Sequence, residues 1–301
     1  VTGPGGVAKE DLRQDRYGFL RWRVLPNQGW EQWWDRIVVP EGVKQRLLNY
    51  SRQALGLRSE FTQVGMPLHG LILLHGPPGT GKTSLAKGLG NRLGQHFGEI
   101  IFAEVDAHAM PSQMLGESQR NVANLLEKSI PELASKDLPV VVLIDEVTSV
   151  AVNRQMAMGG TDPVDVIRAT DAALHGLDRL ASDHPNVLLV ATSNLGGAID
   201  EAVMSRTDLV VEVGLPETEA RREILADSLE ELGSILNVRS VRIGVNGSEL
   251  SDFAAELEGF SGRRLRKLVF EAVLAVQNQE RVMTVRHLRL AAARATSAVK
   301  V

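Results

Sequence analysis

Eight residues, Gly76-Pro77-Pro78-Gly79-Thr80-Gly81-Lys82-Thr83, fit the pattern GxxxxGK[ST], and their types are those that hold a chain of phosphates. Glycines let backbone N–H groups turn inward around phosphate oxygens, and a helix starting directly afterwards, through Ser84, points its positive end at them. Lys82 is placed to neutralise the β and γ phosphates, and the Thr83 hydroxyl suits Mg²⁺. A second chemical pair, Asp145 and Glu146, ends the apolar run Val140-Val141-Val142-Leu143-Ile144. Asp145 is the expected partner of the metal, directly or through water, and Glu146 the expected base that polarises an attacking water. A third position, Asn194 in Ala191-Thr192-Ser193-Asn194, can lie beside Glu146 and help place that water. Taken singly, the three stretches are a glycine-rich turn, an acidic turn and a Ser-Asn turn. Their occurrence together favours chemistry.

Such residues need strands to aim them and helices to cover the strands. Leu71–His75, Ile100–Val105, Pro139–Ile144, Val187–Thr192 and Leu209–Val213 read as strands, the third being typical of a central parallel one. Between them Ser84–Leu93, Gln119–Leu133 and Val164–Leu180 read as helices, and Glu41–Leu57 has helical spacing before them. That alternation predicts an α/β fold, a parallel sheet flanked by helices. After Leu215-Pro216 the texture changes. Glu217–Leu232, Glu249–Glu258, Ser261–Gln279 and Thr284–Thr296 all read as helices, while 238–245 is open between a short strand and a loop. The expected organisation is an N-terminal extension at 1–29, an α/β phosphate-binding domain at 30–215 and a small helical domain at 216–301. All four tryptophans, Trp22, Trp30, Trp33 and Trp34, fall around the first of these boundaries.

The chain has 301 residues, a formal net charge of −4 and no cysteine. The charge gives no bulk electrostatic support to nonspecific nucleic-acid binding. The missing cysteines exclude disulfides, thiolate zinc sites and cysteine nucleophiles, and fit a reducing cytoplasm. No apolar run approaches a membrane span of about 20 residues, and the first residues lack the layout of a signal peptide.

GPPGTGKT, VLIDE and ATSN, in this order and followed by a helical region, resemble the P-loop AAA+ ATPases, whose helical region is a lid. Within them the chain is similar to the HORMA-remodelling branch, the thyroid-receptor-interactor and pachytene-checkpoint ATPases. Gly160-Thr161-Asp162-Pro163-Val164-Asp165-Val166-Ile167-Arg168 points there, with Asp200–Asp208 and Ser261–Leu268. The resemblance extends from about Trp30 to Leu274. It implies a homo-hexameric ring with ATP and Mg²⁺ bound between neighbours. Arg206 would be the arginine finger that reaches the next subunit's γ-phosphate, and Arg263 the lid arginine that senses the γ-phosphate of its own. Around Asp35-Arg36-Ile37-Val38-Val39 would lie the adenine-side entry.

The resemblance also implies the load. Loops facing the central channel would pull on a polypeptide, with Met114 and Leu115 where the family has an aromatic-aliphatic pair, and Asn153–Asp162 as a second pore loop. The front domain of animal members is not expected in the residues before the P-loop strand. The chain therefore resembles bacterial regulators from antiphage operons. There the substrate would be a HORMA-domain protein bound to a nucleotidyltransferase that makes cyclic oligonucleotides, and unfolding its mobile safety belt would keep signalling off. Two other readings stay open. One is a DNA-acting loader of the same fold, against which the acidic balance and apolar pore candidate weigh. The other is a nucleotide-gated scaffold without turnover, against which Lys82, Glu146 and Arg206 weigh.

Overall fold

A strand buried on both faces has no use for alternating polarity, so runs of valine, isoleucine and leucine become the middle of a sheet. The computed structural model describes residues 18–66, 68–106, 117–147, 163–194, 199–236, 242–274, 276 and 282–297. The chain divides into two compact units, one made of residues 1–35, 41–76 and 82–212, the other of 36–40, 77–81 and 213–301.

In the first unit β1 (Phe19–Leu25), β2 (Leu71–His75), β3 (Ile100–Val105), β4 (Val140–Ile144), β5 (Val187–Ser193) and β6 (Leu209–Glu212) form one sheet, in the order β1-β3-β4-β5-β2-β6. Five of these strands run parallel, and every residue of β3, β4 and β5 is buried. The register sets His75 opposite Ser193 and Ile144 opposite Ala191, so β2, β5 and β4 end side by side. Ligands of open α/β sheets bind beyond such carboxyl ends.

β1 departs from the expected pattern. The stretch before residue 30 reads as an extension in the sequence, yet Phe19–Leu25 pairs antiparallel with β3, from Phe19 opposite Val105 to Leu25 opposite Ile100. The sheet is therefore mixed. Arg21 and Arg23 break the apolar signal, and charge is what an edge strand carries to discourage further pairing.

Around the sheet lie α1 (Glu31–Asp35), α2 (Glu41–Gln63), α3 (Lys82–Phe97), α4 (Glu117–Asn124), α5 (Ile130–Ala134), α6 (Pro163–Asp183) and α7 (Glu201–Met204). A π-helical stretch, Leu125–Ser129, joins α4 to α5, so the one helix expected there changes its winding midway. Leu125 and Leu126 of that stretch pack with Ala173 and Leu177 of α6 and with Val142 and Leu189 of the sheet. α3, which starts at Lys82, sits hard against α1: a Cβ at Gly88 would come within 2.7 Å of the Trp34 backbone nitrogen.

The second unit holds α8 (Thr218–Leu236), α9 (Gly247–Glu256), α10 (Gly262–Leu274) and α11 (Val285–Ser297). α9 opens with a capping box, in which Asn246 accepts the Glu249 amide and Glu249 answers to the Asn246 amide. Leu225, Phe253, Leu265, Leu268 and Leu288 form its core, and Val38 of the 36–40 segment packs on it. The stretch left open between strand and loop contains a strand, β7 (Arg242–Ile243), paired in parallel with β8 (Val282–Met283). Among the described residues no helix is long and apolar enough to cross a membrane.

Candidate active site

β2 delivers the chain to Gly76, whose amide donates to the Ser193 carbonyl at the end of β5. At the start of α3, Lys82 is only 7% exposed. Its Nζ donates to the Gly76 carbonyl at 2.7 Å and to Asn194 Oδ1 at 2.8 Å. These two acceptors are neutral oxygens, and an anionic phosphate would be a stronger partner for a desolvated ammonium. Asn194 in turn donates through Nδ2 to Glu146 Oε2, and its amide donates to Glu146 Oε1 at 3.4 Å. One amide side chain thus joins the lysine to the carboxylate.

The neighbouring carboxylate is held separately. Asp145 Oδ1 accepts from Thr83 Oγ1 at 2.9 Å and from Thr192 Oγ1 at 2.6 Å. The pairing of a hydroxyl and a carboxylate oxygen offers hard donors. Among the described residues no group of three or more His, Cys, Asp or Glu could cage a metal. Such a set fits an ion that takes most of its shell from phosphate and water, as Mg²⁺ does. Thr83 and Asp145 are the residues that would hold it.

Within the second unit the loop Pro77–Gly81 has its own supports. The Arg263 amide donates to the Gly79 carbonyl at 3.0 Å, and Thr80 Oγ1 donates to the Pro77 carbonyl at 3.0 Å. Gly79 and Gly81 have φ of 79° and 101°, so side chains there would be strained. A Cβ on Gly81 would also lie 2.9 Å from Ile37 Cδ1, which puts the expected adenine-side segment directly on the loop.

Of the residues singled out in the sequence, Lys82, Thr83, Asp145, Glu146 and Asn194 come together. Arg206 does not join them. Two residues beyond it, Asp208 accepts the amides of His69, Gly70 and Leu71 at the start of β2, the strand end opposite Gly76. Arg206 is paired with Asp178 of α6, and its two hydrogen bonds hold that carboxyl below the usual carboxylate range while raising the guanidinium. Met114, Leu115, the 153–162 stretch and Gly160–Asp162 lie outside the described residues. Sequence reading missed Thr192 and Asp178. Thr192 had a signal, since it stands near the carboxyl end of β5, two residues before Asn194. Asp178 had none.

Comparison with known proteins adds the ancestry of this arrangement. Residues 72–215 match the family described as "ATPase family associated with various cellular activities (AAA)". CD-NTase-associated protein 6 of Pseudomonas aeruginosa is 41% identical over 281 residues, covering 91% of each chain. The pachytene checkpoint protein 2 homologue of Arabidopsis thaliana is 38% identical, over 89% of this chain and 64% of its own length. A chain in the solved HORMA:CdnC:Trip13 complex of E. coli MS115-1 shares the fold, with a TM-score of 0.75 at 19% identity, over 91% of this chain and 94% of that one.

Proposed function

Because this chain belongs to the AAA ATPases, in the branch that holds CD-NTase-associated protein 6 and the pachytene checkpoint protein 2 homologues, and so binds nucleotide and hydrolyses ATP, we propose that its hydrolysis remodels a HORMA-domain protein. That protein would be bound to a nucleotidyltransferase that makes cyclic oligonucleotides, and its disassembly would hold antiphage signalling off in the cytoplasm. The observation that carries this reading is the identity to a CD-NTase-associated protein through nine-tenths of both chains. The fold shared with a chain solved together with a HORMA protein and CdnC supports it.

The catalytic step follows from the side chains. The segment Gly76–Ser84 receives the phosphates, and Lys82 exchanges its neutral acceptors for β- and γ-phosphate oxygens. Mg²⁺, held through Thr83 and Asp145, would neutralise charge on those oxygens. Glu146 accepts the proton of a water as the water oxygen bonds to the γ-phosphorus. The bond from that phosphorus to the bridging oxygen breaks, and ADP leaves with the electron pair. Asn194, whose side-chain and backbone N–H groups both donate to Glu146, holds the base in place beside the phosphates. Arg206 acts on the γ-phosphate of the next copy in a homo-hexamer, and Arg263, whose amide steadies Gly79, answers to the γ-phosphate of its own. Met114 and Leu115 would grip the threaded polypeptide.

Glu146→Gln tests the reading, because it keeps the shape of the base and removes its proton affinity. The variant, loaded with ATP and used as bait against a co-expressed HORMA protein, is expected to retain it. Retention of DNA with no HORMA protein would overturn the reading in favour of a loader.

A further inference from the structure

One buried side chain between β4 and β5 is not required by phosphate chemistry itself. Thr192 is 1% exposed, and its hydroxyl stands between the two acidic residues. It donates to Asp145 Oδ1 at 2.6 Å and accepts the Glu146 amide at 3.0 Å. The sense of both bonds is fixed by chemistry: an ionised carboxylate cannot donate and an amide N–H cannot accept.

Each bond bears on a different partner. Asp145 Oδ1 is aimed by two hydroxyls, Thr83 from α3 and Thr192 from β5. Once Thr83 turns its oxygen toward a metal, the bond from Thr192 is what continues to fix the carboxylate. Glu146 has a φ of 58°, in the left-handed region that side chains with a Cβ rarely adopt. Its amide bond to Thr192 holds that turn, and the turn brings its carboxylate back to Asn194, two residues past Thr192. A single hydroxyl therefore ties the metal carboxylate to the base.

We propose that Thr192 is a positioning residue of this site, setting Asp145 toward the metal and the backbone turn that aims Glu146 at water. The inference rests on the reading of those two carboxylates given above. Thr192 acts through its neighbours, Asp145 and Glu146. Removing such outer partners of a metal site commonly lowers metal affinity or activity about 10–100-fold.

Thr192→Val keeps the branched shape that suits a central strand and removes both hydrogen bonds. Three quantities are read on the full chain: ATP hydrolysis against Mg²⁺ concentration, binding of a fluorescent ATP analogue with Mg²⁺ and with chelator, and thermal unfolding without nucleotide. T192V is expected to bind nucleotide in chelator as the wild type does. It should require about 10-fold more Mg²⁺ for the metal-dependent gain in binding, and its kcat should fall about 10-fold or more. Thr192→Ser, which keeps the hydroxyl, should restore both. A wild-type Mg²⁺ requirement and kcat in T192V would overturn the proposal, as would a T192S as impaired as T192V. If T192V does not fold, Thr192→Cys takes its place, since a thiol is a weak donor and acceptor. Equal Mg²⁺ requirements in T192S and T192C then overturn it. Asp145→Asn and Glu146→Gln run alongside. Should they hydrolyse normally, the reading of the carboxylates fails; should they be inactive while T192V is normal, this inference alone fails.

Discussion

Arg206 grips Asp178 by both carboxylate oxygens, from Nε to Oδ1 at 2.6 Å and from Nη2 to Oδ2 at 2.7 Å, while Nη1 donates to the Ala202 carbonyl at 3.0 Å. The fork fixes the plane of the guanidinium, which a lysine at this position could not reproduce. On the proposed role in the neighbouring site, Arg206→Ala should lower kcat about 10³-fold or more with little change in nucleotide affinity. Arg206→Lys should not rescue it. Asp178→Ala should cost less, about 10-fold, because it loosens the group without removing it. Steady-state kinetics beside direct nucleotide binding would check this, and an unimpaired D178A would refute the positioning part.

Glu146→Gln should lower hydrolysis about 10²–10⁴-fold while ATP binding persists, as loss of a general base does. Lys82→Ala should instead weaken binding itself, because Lys82 is proposed as the cation that meets the phosphates. Single-turnover hydrolysis and equilibrium binding distinguish the two, and rapid turnover by E146Q would remove Glu146 from its role.

Tyr50 makes a pH prediction. Its hydroxyl donates to Asp208 Oδ2 at 2.6 Å. Burial, and then that carboxylate, push its pKa well above the ordinary tyrosine value. The folded state thus holds the proton more tightly than the unfolded chain. The resulting stability is complete below the ordinary value and is lost as pH rises above it. In the folded protein Tyr50 should give no phenolate absorbance at pH about 11. Stability should fall over the same alkaline range, and Tyr50→Phe should flatten that fall. Phenolate formation at Tyr50 with an ordinary midpoint would contradict the burial argument.

Gly88 tests the seat of α3. An added methyl would meet Trp34 backbone atoms at 2.7 Å, and backbone cannot swing aside as a side chain would. Gly88→Ala should therefore destabilise by about 1–3 kcal/mol despite alanine's better helix propensity. Chemical denaturation measures it. A gain in stability would mean that α1 and α3 sit further apart.

The glycine-rich loop is legible in the sequence because its features are local. Glycine is the residue that takes the turns at Gly79 and Gly81 without strain. The buried parallel strands are legible for a similar reason, since β4 is apolar at every position. β1 is not, because Arg21 and Arg23 carry the charges of an edge strand and its pairing with β3 lies far along the chain.

By itself, then, the sequence determined that an α/β region precedes a helical one, and it pointed to one glycine-rich loop and one pair of carboxylates as the candidate site. All of these are properties of contiguous residues. Tertiary structure decided which distant side chains meet: Thr192 with Asp145, Lys82 with Asn194, Arg206 with Asp178. The physical reason is register. Side chains alternate across a strand, so a shift of one residue between β4 and β5 would turn Thr192 to the opposite face. The sheet packing that fixes that register is spread over the whole unit and is written in no single motif.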